Sequence, residues 1–366
     1  MTATATRKKT RGTTLSLAGL RAALAAVLPA VQTRAAKPVL TNVLLKDGVL
    51  TGSDLEMQIQ VPVDWHGDAL LLPAHRLQAI LTNVAGDDVT LAPDGTACTV
   101  SAGRGSWRLP VEDAAEFPTW EPANAKPVCR LPADQFARAV KSTVYATDNE
   151  SSRYALGGVL VEVMDGAVHF VGTDGRRLSV YECEVDQAVD NGHVLIPARA
   201  IAAMAKLGLG DGAVQLEATG SEVIAECDGT TITSRLVEGR FPRWRDTLPE
   251  RENERWVVNG SDLLAATKAA KICTSESSLG VTYTFTPDGI HLTGKSAEAG
   301  ESSVTCPVES AGVPLAIKLD PAFVVEFLRI LDDLAVPVEV DVVDSVSAAI
   351  IRADDATGVI MPLANE

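Results

Sequence analysis

Apolar residues recur at three- and four-residue steps in six stretches of the chain, and this spacing predicts six amphipathic helices. In the first stretch, the large residues Leu17, Leu20, Leu24, Leu28 and Val31 follow this period. The predicted helices cover residues 17–32, 73–84, 132–147, 197–207, 261–273 and 321–331. Between them the sequence alternates or runs apolar, which predicts strands, for example at 39–45, 159–163, 213–217 and 338–343.

The chain repeats itself with a period of 124 residues. The dipeptide Pro-Ala opens a predicted helix at Pro73, Pro197 and Pro321, and Phe-Pro-x-Trp occurs at 117–120 and again at 241–244. A strand–turn–strand pattern with Asp-Gly at its turn precedes each of these three helices. We therefore predict an α+β fold of three like domains, each with two helices packed on antiparallel sheet. The predicted limits are a basic tail at 1–13 and domains at 14–125, 126–250 and 251–366.

Composition narrows the class of protein. The chain has 366 residues, 46% of them hydrophobic, which is typical of a globular protein. Its formal net charge of −16 excludes a uniformly basic surface. No apolar run approaches the ~18 residues of a membrane span, and Arg21 and Pro29 interrupt the apolar N-terminal stretch, which favours a helix over a secretory signal. Six scattered cysteines without a C-x-x-C pair indicate reduced thiols in a cytoplasmic protein, with no metal or cofactor expected.

Positive charge is concentrated on the predicted helices. These carry three acidic residues against nine basic ones, which are Arg21, Arg76, Arg138, Lys141, Arg199, Lys206, Lys268, Lys271 and Arg329. The helices thus have a net charge of +6 and the rest of the chain −22. At about 100° per residue, most of these cations point away from the apolar stripes. Sparse lysine and arginine without interleaved aromatic residues suit phosphate contact rather than base reading, although any single amphipathic helix has a solvated basic face.

Four further motifs, in this order and spacing, resemble the bacterial sliding clamps, the β subunits of the replicative DNA polymerase. They are Gly52-Ser53-Asp54-Leu55-Glu56-Met57, Thr173-Asp174-Gly175-Arg176-Arg177-Leu178, Glu238-Gly239-Arg240-Phe241-Pro242 and Val359-Ile360-Met361-Pro362-Leu363. The resemblance runs from about residue 14 to the C-terminus. It implies a head-to-tail homodimer, closed into a ring around duplex DNA, that serves as a processivity factor in DNA replication and catalyses nothing itself.

The resemblance also implies three sets of site residues. It adds Arg34, Arg153 and Tyr154 to the nine helix cations as DNA-facing residues, and it assigns Trp107, Ile272 and Cys273 to the dimer seam. Its partners are the replicative polymerase, the clamp loader, repair polymerases and ligase-type clients, which bind a groove through short peptide motifs. The implied groove residues are Leu156, Thr173, Gly175, Arg176, Arg177, Leu178, Pro242, Thr247, Val359, Met361, Pro362 and Leu363.

Three alternatives stay open on the sequence. Asp246 and the terminal Ala364-Asn365-Glu366 depart from the family pattern, which would suit a specialised second clamp or a mobile-element copy with altered partner preference. The carboxylates of Asp148, Glu150 and Asp174 would suit a hydrolase or a divalent-metal cluster. Tandem domains would also suit a scaffold that does not bind DNA.

Overall fold

The computed structural model describes residues 12–118, 120–148, 155–185, 191–206, 212–248, 255–275, 280–310 and 312–364. The chain forms two compact units. The first unit contains the residues up to Ala133 together with 206–235, and the second contains 134–205 together with the residues from 236 onward. The polypeptide therefore passes three times from one unit to the other.

Antiparallel strands are the main secondary structure of both units. The first eight are β1 (Thr13–Ser16), β2 (Asn42–Lys46), β3 (Val49–Ser53), β4 (Met57–Pro62), β5 (Leu70–Pro73), β6 (Asp88–Asp94), β7 (Ala97–Ala102) and β8 (Gly105–Pro110). The next eight are β9 (Lys126–Pro132), β10 (Gly158–Met164), β11 (Ala167–Thr173), β12 (Arg177–Glu184), β13 (Gly192–Pro197), β14 (Ala213–Ala218), β15 (Glu222–Cys227) and β16 (Thr230–Arg235). The last eight are β17 (Trp256–Asn259), β18 (Val281–Thr286), β19 (Gly289–Ser296), β20 (Gly300–Cys306), β21 (Leu315–Leu319), β22 (Pro337–Asp341), β23 (Ala349–Ala353) and β24 (Ala356–Ile360).

The strand connectivity repeats three times along the described chain. In the first unit, one sheet has the order β1-β6-β7-β8 and another the order β5-β2-β3-β4-β16-β15-β14-β9. In the second unit the orders are β13-β10-β11-β12-β24-β23-β22-β17 and β20-β19-β18-β21. Each group of eight consecutive strands thus contributes the same two four-stranded halves. The predicted α+β class with antiparallel sheets is confirmed, and the threefold repeat is present in the connectivity; the domain limits at 14–125, 126–250 and 251–366 stay a prediction.

In the described ranges, six α-helices cover the sheets, two for each group of eight strands. They are α1 (Leu17–Val27), α2 (Ala74–Asn83), α3 (Ala133–Val144), α4 (Ala198–Met204), α5 (Gly260–Lys271) and α6 (Pro321–Ile330). Side-chain oxygens of Ser16, Asn259 and Asp320 accept hydrogen bonds from first-turn N–H groups of α1, α5 and α6, and so fix where these helices begin. No helix in the described ranges is both long enough and apolar enough to cross a bilayer.

Several of the predicted element limits differ from the structure. Helix α1 ends at Val27 and continues as a 3₁₀ turn at Leu28–Ala30, where Pro29 lies within the turn. Pro73 and Pro197 precede α2 and α4 as extended residues, because they still pair with a neighbouring strand. Pro321 occupies the first turn of α6 as predicted. Strand β2 begins at Asn42 rather than at residue 39, since Pro38–Thr41 forms a 3₁₀ turn.

Each of the three strand–turn–strand patterns ends in a glycine that lies close to the backbone of a helix. A Cβ added to Gly52 would lie 2.9 Å from the carbonyl oxygen of Val27 in α1. The corresponding distances are 2.1 Å from Gly172 to Thr143 of α3, and 2.5 Å from Gly294 to Ala270 of α5. Real Cβ atoms do not approach a carbonyl oxygen so closely, so only glycine lets the first helix of each repeat lie against its sheet.

The Phe-Pro-x-Trp motifs attach the connecting segments to the sheets. In the first unit, Phe117 is buried against Leu40, Leu44 and Leu71. In the second unit, Trp244 is 5% exposed and opens a 3₁₀ turn at Trp244–Thr247. These connections are therefore part of the packed structure, and Trp244 in particular lies on the sheet face that carries the candidate groove.

Candidate functional site

All nine cations that the sequence places on the helices are exposed, and so is Arg34. The apolar stripes of the same helices are buried, for example Leu20 and Leu24 on α1, Phe136 on α3 and Phe327 on α6. Lys206 lies just after the end of α4 rather than within it. Arg153 and Tyr154 lie outside the described residues. Each described helix thus presents its cations to solvent while its other side packs on a sheet.

In the first unit, the Arg21 guanidinium forms hydrogen bonds within the protein. Its Nε donates to the carbonyl oxygen of Leu81 at 3.0 Å, and its Nη2 also reaches the carbonyl oxygen of Val84 at 3.3 Å. These carbonyls belong to the C-terminal end of α2, where a cation is favoured by the helix dipole. Arg21 therefore ties α1 to α2 while its charge stays exposed.

In the second unit, two cations form exposed ion pairs. Arg138 Nη2 lies 3.0 Å from the Asp134 carboxylate, and Lys141 Nζ lies 2.7 Å from the Asp332 carboxylate. Both pairs are about half exposed, and exposed pairs contribute only about 0–1 kcal/mol. A phosphate group would therefore compete for these cations at little energetic cost.

Four other helix cations have no acidic neighbour among the described residues. Within the described ranges, Arg76, Lys268, Lys271 and Arg329 have no carboxylate within 4.0 Å. Such side chains sample many rotamers in water and make interchangeable, salt-sensitive contacts with a polyanion. This arrangement suits loose contact with phosphates better than a fixed complex.

The candidate groove lies in the second unit, around the turn Thr173–Arg177. Asp174 Oδ1 accepts hydrogen bonds from the backbone N–H groups of Arg176 and Arg177, each at 2.9 Å. Thr173 Oγ1 donates to the Arg177 carbonyl at 2.6 Å and accepts from Gly175 N–H at 3.1 Å. Gly175 has φ of +83°, which glycine adopts without strain. The turn is thus rigidly held by its own side chains.

The floor of the groove is apolar and its rim is exposed. Leu178 on β12 pairs with Val359 on β24, and both belong to a buried cluster that includes Trp244. Leu156 is 6% exposed, whereas Met361 is 47% exposed and Pro242 and Thr247 are also exposed. An open apolar surface with an adaptable methionine at its edge suits the side chains of an extended peptide.

The chain end is attached on both sides of this groove. Met361 N–H donates to the Arg176 carbonyl at 2.9 Å, and Leu363 N–H donates to the Lys318 carbonyl on β21 at 2.8 Å. Pro362, between them, is half-buried. The two hydrogen bonds fix the course of the backbone at 361–363, with Met361 beside Arg176. The assignment of Val359, Met361, Pro362 and Leu363 to a peptide groove stays a prediction.

Arg177 is placed differently from the other predicted groove residues. Its guanidinium pairs with Asp174 at 3.1 Å and with Glu326 of α6, donates to the Tyr145 carbonyl at 2.8 Å, and lies 4.5 Å from the Phe323 ring centroid. The side chain is 12% exposed and points toward the helices, away from Leu178. Burial also raises the pKa of the Tyr145 hydroxyl to about 12, so the ring stays neutral beside this cation. Arg177 supports the groove from beneath.

The described residues give little support to a hydrolase or a divalent-metal cluster built on acidic side chains. Asp174 is engaged by two backbone N–H donors and the Arg177 guanidinium, and Glu150 lies outside the described residues. In the part of the chain that the structure describes, no three histidine, cysteine, aspartate or glutamate side chains are arranged to hold a metal ion. Asp174 therefore has a structural role in the turn.

The predicted seam residues lie at exposed places. Trp107 is half-buried on β8, an edge strand, and its ring folds over Gly105. Ile272 follows α5 and is 75% exposed, and Cys273 beside it is partly exposed while the other five cysteines are buried. Strand β20, which α5 contacts, is also an edge strand. Unpaired strand edges and an exposed isoleucine are features of surfaces that associate.

Three contributors to the groove were not anticipated. Trp244 donates from Nε1 to Glu162 at 3.2 Å and forms part of the floor; the repeated Phe-Pro-x-Trp motif was the available signal. Phe323 and Glu326 of α6 hold Arg177, and no local pattern in the sequence indicates that contact.

Comparison with known proteins gives a consistent result. Family models of the DNA polymerase III β subunit match residues 14–121 for the N-terminal domain and 130–243 for the central domain. Proteins named "Beta sliding clamp" from Chlamydia pneumoniae and from Escherichia coli K12 are each 28% identical to this chain. The first alignment covers 89% of this chain and 91% of the relative, and the second covers 89% and 92%.

Solved structures agree with these matches. A DnaN sliding clamp (DNA polymerase III subunit beta) from Pseudomonas aeruginosa, bound to griselimycin, superposes with a TM-score of 0.90 at 26% identity, covering 97% of this chain and all of that chain. A DNA polymerase III β subunit from Thermotoga maritima has a TM-score of 0.88 at 20% identity, over 97% of this chain and 100% of its own, and supports the fold.

Proposed function

Because the chain belongs to the bacterial DNA polymerase III β-subunit family, the sliding clamps, we propose that it is a processivity factor for DNA replication. Two copies form a closed ring around duplex DNA and tether partner proteins to it. The chain itself makes and breaks no covalent bond; polymerase activity belongs to the partner. It works in the cytoplasm, where a bacterial chromosome is replicated.

One observation supports the DNA-binding part of this proposal above all others. Nine exposed cations lie on the helices or, for Lys206, just after one, in a chain whose formal net charge is −16. Sparse cations on helices make weak and mobile phosphate contacts, which hold DNA without fixing its position. The acidic remainder of the surface repels DNA. Arg34, Arg153 and Tyr154 extend the proposed DNA-facing set, as the family resemblance implies.

The apolar surface around Leu178, Val359 and Met361 is the proposed peptide groove. Its clients are the replicative polymerase, the clamp loader, repair polymerases and ligase-type proteins, each carrying a short apolar motif. The buried floor offers area to apolar side chains, and the exposed Met361 adapts to different ones. Replacing Met361 by aspartate is expected to abolish binding of such peptides, because it puts an unpaired charge against the desolvated floor.

Ring closure requires a head-to-tail seam. We place Trp107 and strand β8 of one subunit against Ile272, Cys273 and strand β20 of the other. Two edge strands supply unpaired backbone N–H and carbonyl groups, and Ile272 supplies an apolar anchor. Each of the two contacts joins different patches, and twofold symmetry closes the ring.

The test compares two DNA substrates after loading. The protein, loaded by its clamp loader on nicked circular DNA, is expected to stay bound through gel filtration in high salt and to escape once the circle is cut. Equal retention on circular and linear DNA would contradict encirclement and indicate ordinary binding. Absence of association with either form would favour the scaffold or the hydrolase.

A further inference from the structure

A second concave site lies in the second unit, beside the proposed peptide groove. It is a cavity of about 470 Å³ between the 3₁₀ turn Trp244–Thr247 and the sheet face formed by β11, β12 and β24. Three apolar side chains form its inner wall: Val180, Trp244 and Leu248. Trp244 is held in place from behind, because its Nε1 donates to Glu162 and Arg245 stacks on its ring at 4.1 Å.

The opening of this cavity is acidic. Alternation along β12 puts Glu182 and Glu184 on the same face as Val180, and the turn between β23 and β24 adds Asp354 and Asp355. All four carboxylates are exposed. Within the described ranges, none of them has a lysine or arginine nitrogen within 4.0 Å. Four like charges thus flank the apolar wall, and Arg245, which stacks on Trp244, pairs with Glu162 instead.

His169 does not supply that counter-charge. Its Nε2 lies 3.5 Å from Glu182, but its ring packs on Trp244 and its side chain is only 14% exposed. Burial lowers the pKa of His169, with Glu182 and Glu162 opposing the effect and Arg245 reinforcing it. At neutral pH the imidazole is therefore mainly uncharged, and the opening keeps its negative charge.

The apolar wall of the cavity and the apolar floor of the groove belong to one cluster. Val180 and Trp244 belong to the same apolar cluster as Leu178 and Val359. Leu178 and Glu182 are four residues apart on β12, which corresponds to about 13 Å along a strand. An extended peptide rises by the same amount per residue, so a side chain about four positions from an apolar anchor would reach the acidic opening.

We propose that this acid-rimmed cavity is an accessory subsite that binds a lysine or arginine side chain flanking the apolar motif of a client peptide. This inference rests on the proposed function of the groove. The methylene stem of a long basic side chain packs on Val180, Trp244 and Leu248, and its charged end reaches the carboxylates. Clients with a basic flank are thereby preferred over clients with a neutral or acidic one.

The test uses fluorescein-labelled synthetic peptides that contain Leu-Phe as the apolar anchor. Lysine, serine or glutamate is placed four residues before or four residues after that anchor, and binding is measured by fluorescence anisotropy at low salt. One lysine position is expected to bind about fivefold more tightly than its serine counterpart, as for a partly exposed ion pair with packing. The glutamate peptide is expected to bind more weakly than the serine peptide.

Two matched variants assign the effect to the cavity. Glu182→Gln with Glu184→Gln is expected to remove the lysine preference while leaving the serine peptide unchanged. Asp288→Asn with Glu298→Gln removes the same charge from exposed positions elsewhere in the second unit, and is expected to retain the preference. Equal affinity for the lysine and serine peptides, or a lysine preference that survives in Glu182→Gln with Glu184→Gln, would overturn the subsite. If the serine peptide fails to bind, or binds to Met361→Asp as tightly as to the wild type, the proposed groove is wrong. The subsite proposal, which rests on the groove, would then be wrong as well.

Discussion

Removing the guanidinium of Arg177 is expected to destabilise the second unit by about 3 kcal/mol, the lower end of the cost of breaking a buried ion pair by deleting one partner. Asp174 is only 8% exposed, so Arg177→Ala leaves its carboxylate buried with backbone N–H donors alone. Glu326 is 43% exposed and regains water, so its share is below about 1 kcal/mol. The Tyr145 carbonyl loses one hydrogen bond, which adds about 1 kcal/mol.

The assay separates these contributions by a double-mutant cycle in urea unfolding. In an Asp174→Asn background the buried charge is absent, so Arg177→Ala is expected to cost much less than in the wild type. Glu326→Gln alone is expected to cost less than about 1 kcal/mol. Because the chain has two compact units, hydrogen exchange of the amides at 173–178 locates the loss at the turn.

Two outcomes would refute this reasoning. A cost below about 1 kcal/mol for Arg177→Ala would mean that water reaches Asp174 freely and that the pair behaves as a surface ion pair. An equal cost in the wild-type and Asp174→Asn backgrounds would assign the effect to packing on Phe323 rather than to charge. The expected cycle would show that Arg177 holds the groove turn without itself facing a peptide.

Three further predictions concern packing, thiols and the seam. Gly172→Ala is expected to cost about 1–3 kcal/mol in urea unfolding, because its Cβ would lie 2.1 Å from the Thr143 carbonyl oxygen; Gly220→Ala, with open space around it, is the neutral control. Ile272→Asp is expected to give monomer by sedimentation, and an unchanged dimer would disprove the seam. Cys273 is expected to react with a maleimide in that monomer and to be shielded in the wild-type dimer. The buried cysteines stay unlabelled in both, since burial raises the pKa of several of their thiols; equal labelling of Cys273 in both would place it outside the interface.

Much of the fold could be predicted from the sequence because it repeats. With a period of 124 residues, the sequence pattern of each element occurs three times. A helix with a buried apolar stripe, such as the one through Leu20 and Leu24, can also be recognised from local sequence alone. Helix ends were less predictable. Pro73 stays paired in a strand because of its neighbour Asn42, and that pairing is a tertiary contact.

The contacts that hold the sites in place could not be predicted from local patterns. Arg21 was correctly assigned to an exposed helix face, yet its guanidinium also caps α2 through the carbonyl of Leu81, sixty residues away in sequence. Lys141 likewise meets Asp332 across 191 residues. Exposure follows from helical period, whereas the identity of a partner follows from how distant segments pack.

The orientation of Arg177 could have been predicted from the alternation of side chains along a strand. Assignment by its motif alone put it in the groove. Successive side chains of a strand point to opposite faces, so Arg177 and Leu178 at the start of β12 cannot both face the same groove. Ser179, on the Arg177 side, bonds to the Ser142 carbonyl of α3, which identifies that side as the helix-facing one. The same alternation continues from Leu178 through Val180 to Glu182 and places all three on one surface. The same two-residue alternation thus turns Arg177 away from the groove and puts Glu182 on the groove side. The Arg177 cycle and the peptide assay test these two placements separately.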